Sequence, residues 1–292
     1  MKALAPLVFA LIAAGAPNAS ARPELKQFDS AAAALSSLLV HKPRVIGIGE
    51  YHEVEGETPK GVPSAIARFT AELLDVLAPL SSDIVLETWI TEGRCGKREE
   101  EVVGKVEDDT KRPETTESEL VTMLKKAKAA GVQPHILTLS CLEYLLVSDG
   151  KGGVDYVRLL ARIKDLLERK VAEVLAEQKD RGRMVLVYGG ALHNDLRPRP
   201  ELADYTYAPA VRRMVKGRFL ELDLYVPEFI ERDEELTKEP WYALLRRVEK
   251  GKTALIRRSE ASYIIVFPRT ELPVPPPAPA PATPPAPAPA AT

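Results

Sequence analysis

The 292-residue chain is poor in the residues that usually advertise chemistry, with two cysteines, four histidines and two tryptophans. It also lacks an excess of either charge: 40 basic and 42 acidic residues leave a formal net charge of −2. Such a balance provides no electrostatic footprint for nucleic acid or an anionic membrane surface. Neither the number nor the spacing of the cysteines suggests a metal cluster. No G-x-S-x-G elbow, P-loop or H-E-x-x-H helix occurs, so serine-hydrolase, nucleotide-binding and zincin readings fall away. What remains is an ordinary globular composition, 45% hydrophobic and 28% charged, in a chain long enough for one large α/β domain or two small ones.

The two ends are compositionally distinct from the middle. Lys2, the apolar run Ala3 to Gly15 and the small-residue site Ala19-Ser20-Ala21 predict a secretory signal peptide over residues 1–21. The run is too short to stay as a membrane span, and no cysteine near the cut would carry a lipid. The mature chain is therefore expected in the periplasm or outside the cell, with no transmembrane span after cleavage. Residues 271–292 are almost wholly proline and alanine and predict an extended, disordered tail. Between them, residues 22–270 predict a single α/β domain. In an oxidising compartment Cys95 and Cys141, each just after a predicted strand, are expected to pair.

Within that domain strands and helices alternate, which predicts a mostly parallel central sheet flanked by helices and closed by a C-terminal β-hairpin. The strands are expected at residues 44–49, 83–90, 133–140, 184–188 and 219–226, and the hairpin at 253–257 and 262–267. Helices are expected at 30–39, 64–77, 116–130, 155–179 and 241–250, the third opened by the capping box Thr116-Glu117-Ser118-Glu119. The charged stretch 92–114 shows no clear period and reads as a long loop, either a lid or a solvated insertion.

The chain is organised around Val45-Ile46-Gly47-Ile48-Gly49-Glu50-Tyr51-His52. A buried strand ends in glycine and then delivers a carboxylate and an imidazole, at the strand end where open α/β sheets bind ligands. Glu87 interrupts the next apolar strand, and a lone buried carboxylate costs several kcal/mol unless it is paired. Gly189-Gly190-Ala191-Leu192-His193 repeats the strand–glycine–histidine pattern. His41 and His135 fall at the opposite ends of their strands; His41 reads as solvent-facing and His135 as structural. The set Glu50, His52, Glu87 and His193 fits two chemistries. It could hold Zn²⁺ or Mn²⁺ with an open position for water, or a glutamate-held histidine could act as general base without metal.

Gly49-Glu50-Tyr51-His52, Leu86-Glu87, Gly190-Ala191-Leu192-His193 and the closing strand Ser262 to Pro268 resemble the superfamily of erythromycin esterases, ChaN-like haem-binding proteins and Tiki/TraB proteases. The one-residue gap between Glu50 and His52 is closest to the ChaN-like form. The resemblance implies two functions for the same fold. One is a hydrolase on an ester, amide or peptide bond, acting on a small-molecule or peptide substrate through Glu50, His52, Glu87 and His193. The other is a haem- or iron-binding envelope protein, with Tyr51, Tyr205 and Tyr207 as candidate ligands. The large helical region of true erythromycin esterases has no counterpart here.

Overall fold

The structure is a computed structural model that describes residues 22–52, 60–90, 93–113, 115–178, 180 and 182–272. The expected signal peptide and the tail from residue 273 lie outside the described residues. β1 (Glu24–Phe28) and α1 (Ala31–Leu38) come first, followed by β2 (Val45–Glu50). A helical run of α2 (Ala65–Arg68) and α3 (Leu74–Leu77) brackets one π-turn, Phe69–Leu73. Then come β3 (Ser81–Ile90), α4 (Lys97–Thr110), α5 (Thr115–Ala129), β4 (Gln133–Thr138), α6 (Cys141–Val147) and the long α7 (Tyr156–Glu177). β5 (Met184–Gly190), α8 (Ala191–Asn194), α9 (Ala208–Met214), β6 (Phe219–Tyr225), α10 (Pro227–Ile230), β7 (Thr253–Arg257) and β8 (Ser262–Val266) complete it.

The eight strands form one sheet in the order β1-β7-β8-β6-β2-β5-β3-β4. All pairings from β8 through to β4 are parallel, and only β7 runs against its neighbours. Every residue of β2 and β6 is buried, as expected of central strands covered on both faces. Ile46 and Ile48 pack with α1, Phe69, Leu73 and Leu77 on one face. Val45, Val85 and Val187 pack with the stripe Leu159, Ile163, Leu167, Val171 and Val174 of α7 on the other. Burying such a side chain contributes roughly 1.5–3 kcal/mol, so the two faces together fix the central register. Among the described residues no helix is long and apolar enough to cross a membrane.

The sheet, its parallel centre and the β7–β8 hairpin follow the sequence pattern. Five features do not. The stretch 92–114 is not a loop but carries the 14-residue helix α4, bonded by the i,i+4 pairs Lys97–Glu101 (3.4 Å) and Lys105–Asp109 (2.5 Å). Its buried or half-buried Val102, Val103 and Val106 are too few to show a period through the surrounding charge. The capping box at Thr116 does not form, because α5 starts at Thr115 and Glu119 accepts a 2.6 Å hydrogen bond from Ser64 of the neighbouring helix. The box that does form is Ser140 with Glu143, opening α6, an element with no expectation in the sequence. Residues 241–250, expected as a helix, make only the 3₁₀ segment Tyr242–Arg247, and β1 was not expected as a strand.

The one disulfide joins Cys95, just ahead of α4, to Cys141 at the start of α6, with Cα atoms 5.1 Å apart. It closes a loop with a sequence separation of 46, for which loop-closure entropy amounts to about 4 kcal/mol. The Cys95→Ser/Cys141→Ser variant is expected to lose about 2–4 kcal/mol of unfolding free energy in urea. Wild type in reductant should match it, and equal stability with and without the bridge would contradict this role.

Candidate functional site

Three parallel strands end side by side, and each delivers part of the set. In the register, Glu50 of β2 lies opposite Gly190 of β5, and Leu86 of β3 lies opposite Tyr188. After Leu86 the β3–β4 pairing slips, so that Glu87 and Thr88 have no partners and Trp89 resumes opposite Leu137. Such a bulge re-aims a side chain, here swinging Glu87 across the bare backbone of Gly189 and Gly190. A Cβ placed on Gly190 would sit 2.9 Å from His52 Nε2 and 3.4 Å from Glu87 Oε2. Glycine at this position is what lets the two side chains converge.

Around His52 the hydrogen bonds assign the roles. Its Nδ1 lies 2.9 Å from Glu50 Oε1, and the other carboxylate oxygen of Glu50 accepts from the Tyr188 hydroxyl at 2.6 Å. Glu50 and Tyr188 are buried, and burial beside the Glu50 charge pushes the Tyr188 hydroxyl well above its ordinary range, so it stays a donor. A carboxylate can only accept, so Nδ1 carries the proton and the Nε2 lone pair is left outward. Arg112 lies against the imidazole, with Nη2 2.7 Å from Nε2 and 3.0 Å from Nδ1. Arg112 lies just beyond α4, so the stretch expected as a loop supplies a residue of the site.

His193, at the end of the short α8, is buried. Its Nδ1 donates to the Tyr205 carbonyl at 2.5 Å, and its Nε2 faces Glu87 Oε1 at 3.5 Å. Glu87 also accepts from the Gly190 backbone N–H. Burial pushes the Glu87 carboxyl up, but His193, His52, Arg112 and the Gly190 N–H together outweigh it and leave the group below its ordinary range. Glu87 is thus ionised at neutral pH, and a proton on His193 Nε2 would be held by it. The four side chains singled out in the sequence come together around Gly190 as two pairs, Glu50 with His52 and Glu87 with His193. His135 instead pairs with Asp83 at 2.8 Å, and His41 lies at the other end of the sheet beside Tyr263.

The tyrosines separate. Tyr51 is half-buried and lines a small pocket with Glu50, His52, Ser64, Arg112 and Glu119. That pocket has a volume of about 10 Å³, room for about one water molecule. Tyr205 contributes its carbonyl to His193. Tyr207 is packed inside the α7 face with its ring against Phe219, centroids 6.2 Å apart, where no haem iron could reach its hydroxyl. As arranged, the donors also do not fit a shared Zn²⁺ or Mn²⁺. The ring nitrogens of His52 are engaged by Glu50 and by the cationic Arg112, and Nδ1 of His193 by a carbonyl. Among the described residues no group of three or more His, Cys, Asp or Glu side chains is disposed to hold a metal ion.

Directly beneath α8 lies a second charged cluster that the sequence did not reveal. Glu221 and Asp223 of β6 are buried, and both bond Nη2 of Arg258, from the β7–β8 turn. Burial pushes Glu221 up to about 8 against the pull of Arg258, with the Asp223 charge adding to the rise. Asn194 of α8 packs beside them and donates to the Gly47 carbonyl at 2.9 Å.

No known family profile matches the chain, and no curated protein matches it. Among solved structures it is similar to the type III effector HopBA1, at 10% identity and a TM-score of 0.41, over 85% of this chain and 98% of that one.

Two outcomes follow from the charges. Glu87 has a lowered folded pKa, so its contribution is present above the unfolded value of about 4.5 and is lost as pH falls through the folded value. Glu87→Gln should therefore destabilise by about 1–3 kcal/mol at pH 7, with the gap to wild type closing below about pH 4. A gap independent of pH in urea titrations would show that Glu87 is not held as an ion. Arg258→Met strands two buried carboxylates and should cost about 3–5 kcal/mol. Because the raised Glu221 releases its proton as pH climbs toward about 8, that cost should be larger at pH 8 than at pH 5.

Proposed function

We propose that this chain is an exported hydrolase that activates water for attack on an ester, amide or peptide bond, with His52 as general base. The observation that carries the reading is the Glu50–His52 pair, 2.9 Å apart, whose Nε2 lies with Glu87 beside the bare Gly190 and is covered by Arg112. Glu50, itself held by Tyr188, fixes the tautomer and stabilises the imidazolium that forms when His52 takes a proton. The pocket beside His52 and Arg112 accommodates one water, the nucleophile this mechanism needs.

The other groups fall into complementary roles. Arg112 must leave Nε2 before His52 can accept a proton, and a substrate carbonyl or its developing oxyanion gives the guanidinium an alternative partner. His193, with Nδ1 committed to a carbonyl, can carry a second proton at Nε2 under the Glu87 carboxylate and return it to the leaving group. The water's proton thus goes to His52, and the leaving group takes one from His193. Export rests on residues 1–21 and is part of the same proposal.

His52→Ala and His193→Ala are each expected to lower turnover of an activated ester or peptide by at least about 10²-fold, with an unchanged circular dichroism spectrum. His135→Ala, the control, should retain its rate. The proposal fails if both variants keep wild-type turnover. It fails also if the protein takes up haem stoichiometrically, with a Soret band lost in Tyr51→Phe and kept in both histidine variants.

A further inference from the structure

A cavity of about 570 Å³, far larger than the pocket at His52, lies at the opposite, amino-terminal ends of β2, β6 and β8. Drug-sized ligands occupy pockets of this order, roughly 300–1,000 Å³. It is a product of the sheet's edge. β1 runs antiparallel to β7 with Glu24 opposite Arg257 and Lys26 opposite Leu255, which raises a wall beside the starts of β6 and β8. The end of α1 and the turn before β6 close the other sides.

The lining has two parts. Leu38, Phe219, Leu220 and Leu255 are buried apolar side chains that form the floor. Tyr263, also buried, carries its hydroxyl 3.5 Å from His41 Nε2, with the two rings stacked at 6.2 Å between centroids. The rim carries Lys26, Arg212, Arg218 and Arg257 against Glu24 and Glu260. Arg257 is partly neutralised by Glu24 at 3.7 Å. No ion pair among the described residues engages Lys26, Arg212 or Arg218. The rim is therefore positive in a chain whose net charge is −2, and a charged concavity with apolar walls concentrates counter-ions of the opposite sign.

We propose that this cavity is a second binding site, for a small organic anion with a flat apolar body and a carboxylate or phosphate group. The apolar body lies on Leu38, Phe219, Leu220 and Leu255, beside the stacked His41 and Tyr263 rings. The anionic group is taken by Arg212 and Arg218, whose guanidinium forks suit carboxylate and phosphate oxygens. The site is independent of the hydrolase reading, since it lies at the other end of the sheet and shares no lining residue with the Glu/His pocket.

The test is a titration of the isotope-labelled full chain with 2-naphthoate, followed by amide chemical shifts, with inorganic phosphate as the body-less comparison. Saturable shifts are expected at Phe219, Leu220, Ala261 and Tyr263, with phosphate at least tenfold weaker than 2-naphthoate. Arg212→Ala/Arg218→Ala should weaken 2-naphthoate at least tenfold. Lys97→Ala, an exposed lysine far along the chain, should bind as wild type. Thermal unfolding of each variant establishes that the fold is kept, and high salt acting on the wild type should reproduce the weakening without any substitution. The proposal is overturned by any of three results: shifts centred on other residues, no saturation by about 10 mM, or equal affinity of the double arginine variant and the wild type at low salt.

Discussion

Close approach at four glycines is the constraint on which the rest of the structure depends. A methyl group on Gly47 would meet the Phe219 ring and the Tyr207 hydroxyl, and one on Gly49 would meet Asp223, Asn194 and the backbone of Ala191. On Gly189 it would strike Glu87, and on Gly190 it would strike His52. The first two let α8 settle onto β2, which seats His193 and Asn194. The second two clear the floor over which Glu87 and His52 converge. The glycines thus exchange side-chain packing in the two central strands for room at the carboxyl ends.

Charge is managed in different ways on the two faces of the sheet. On one face Glu50 is buried, yet both of its oxygens are occupied, by His52 and by Tyr188. On the other, Glu221 and Asp223 share a single guanidinium, so burial drives the pair toward holding a proton. Glu87, at the seam, is surrounded by donors and stays ionised. Burial with different partners thus lowers the Glu87 carboxyl and raises the Glu221–Asp223 pair within one sheet.

The helix that supplies Arg112 is tied down at its start and reaches the site just past its end. Cys95 is bridged to Cys141, and Glu99 accepts from the backbone of Gly93 and Cys95, so the turn before α4 is fixed to α6 and to its own first turn. Beyond α4, Lys111 adopts a left-handed conformation, φ 45°, and turns the chain so that Arg112 faces His52. The opposite edge of the sheet shows how much a strand can add without touching the crevice: β1 pairs only with β7, yet it walls the larger cavity.

The sequence by itself determined the parallel α/β sheet, the hairpin, the strand-end positions of Glu50, His52, Glu87 and His193, and the separation of His41 and His135 from them. These are legible because buried strands, glycine-terminated turns and amphipathic stripes are local patterns, and because parallel strands with crossovers bring their carboxyl ends together. Only the tertiary structure decided which partners those residues take. Arg112 sits in a charged stretch without periodicity, Tyr188 reads as one more strand residue, and Glu221 and Asp223 look like interruptions of an apolar run. The bulge at Glu87 is likewise invisible along the chain, because it exists only in the pairing of β3 with its neighbours. Long-range contacts are made by folded surfaces, and a sequence pattern records which face a residue takes rather than what that face meets.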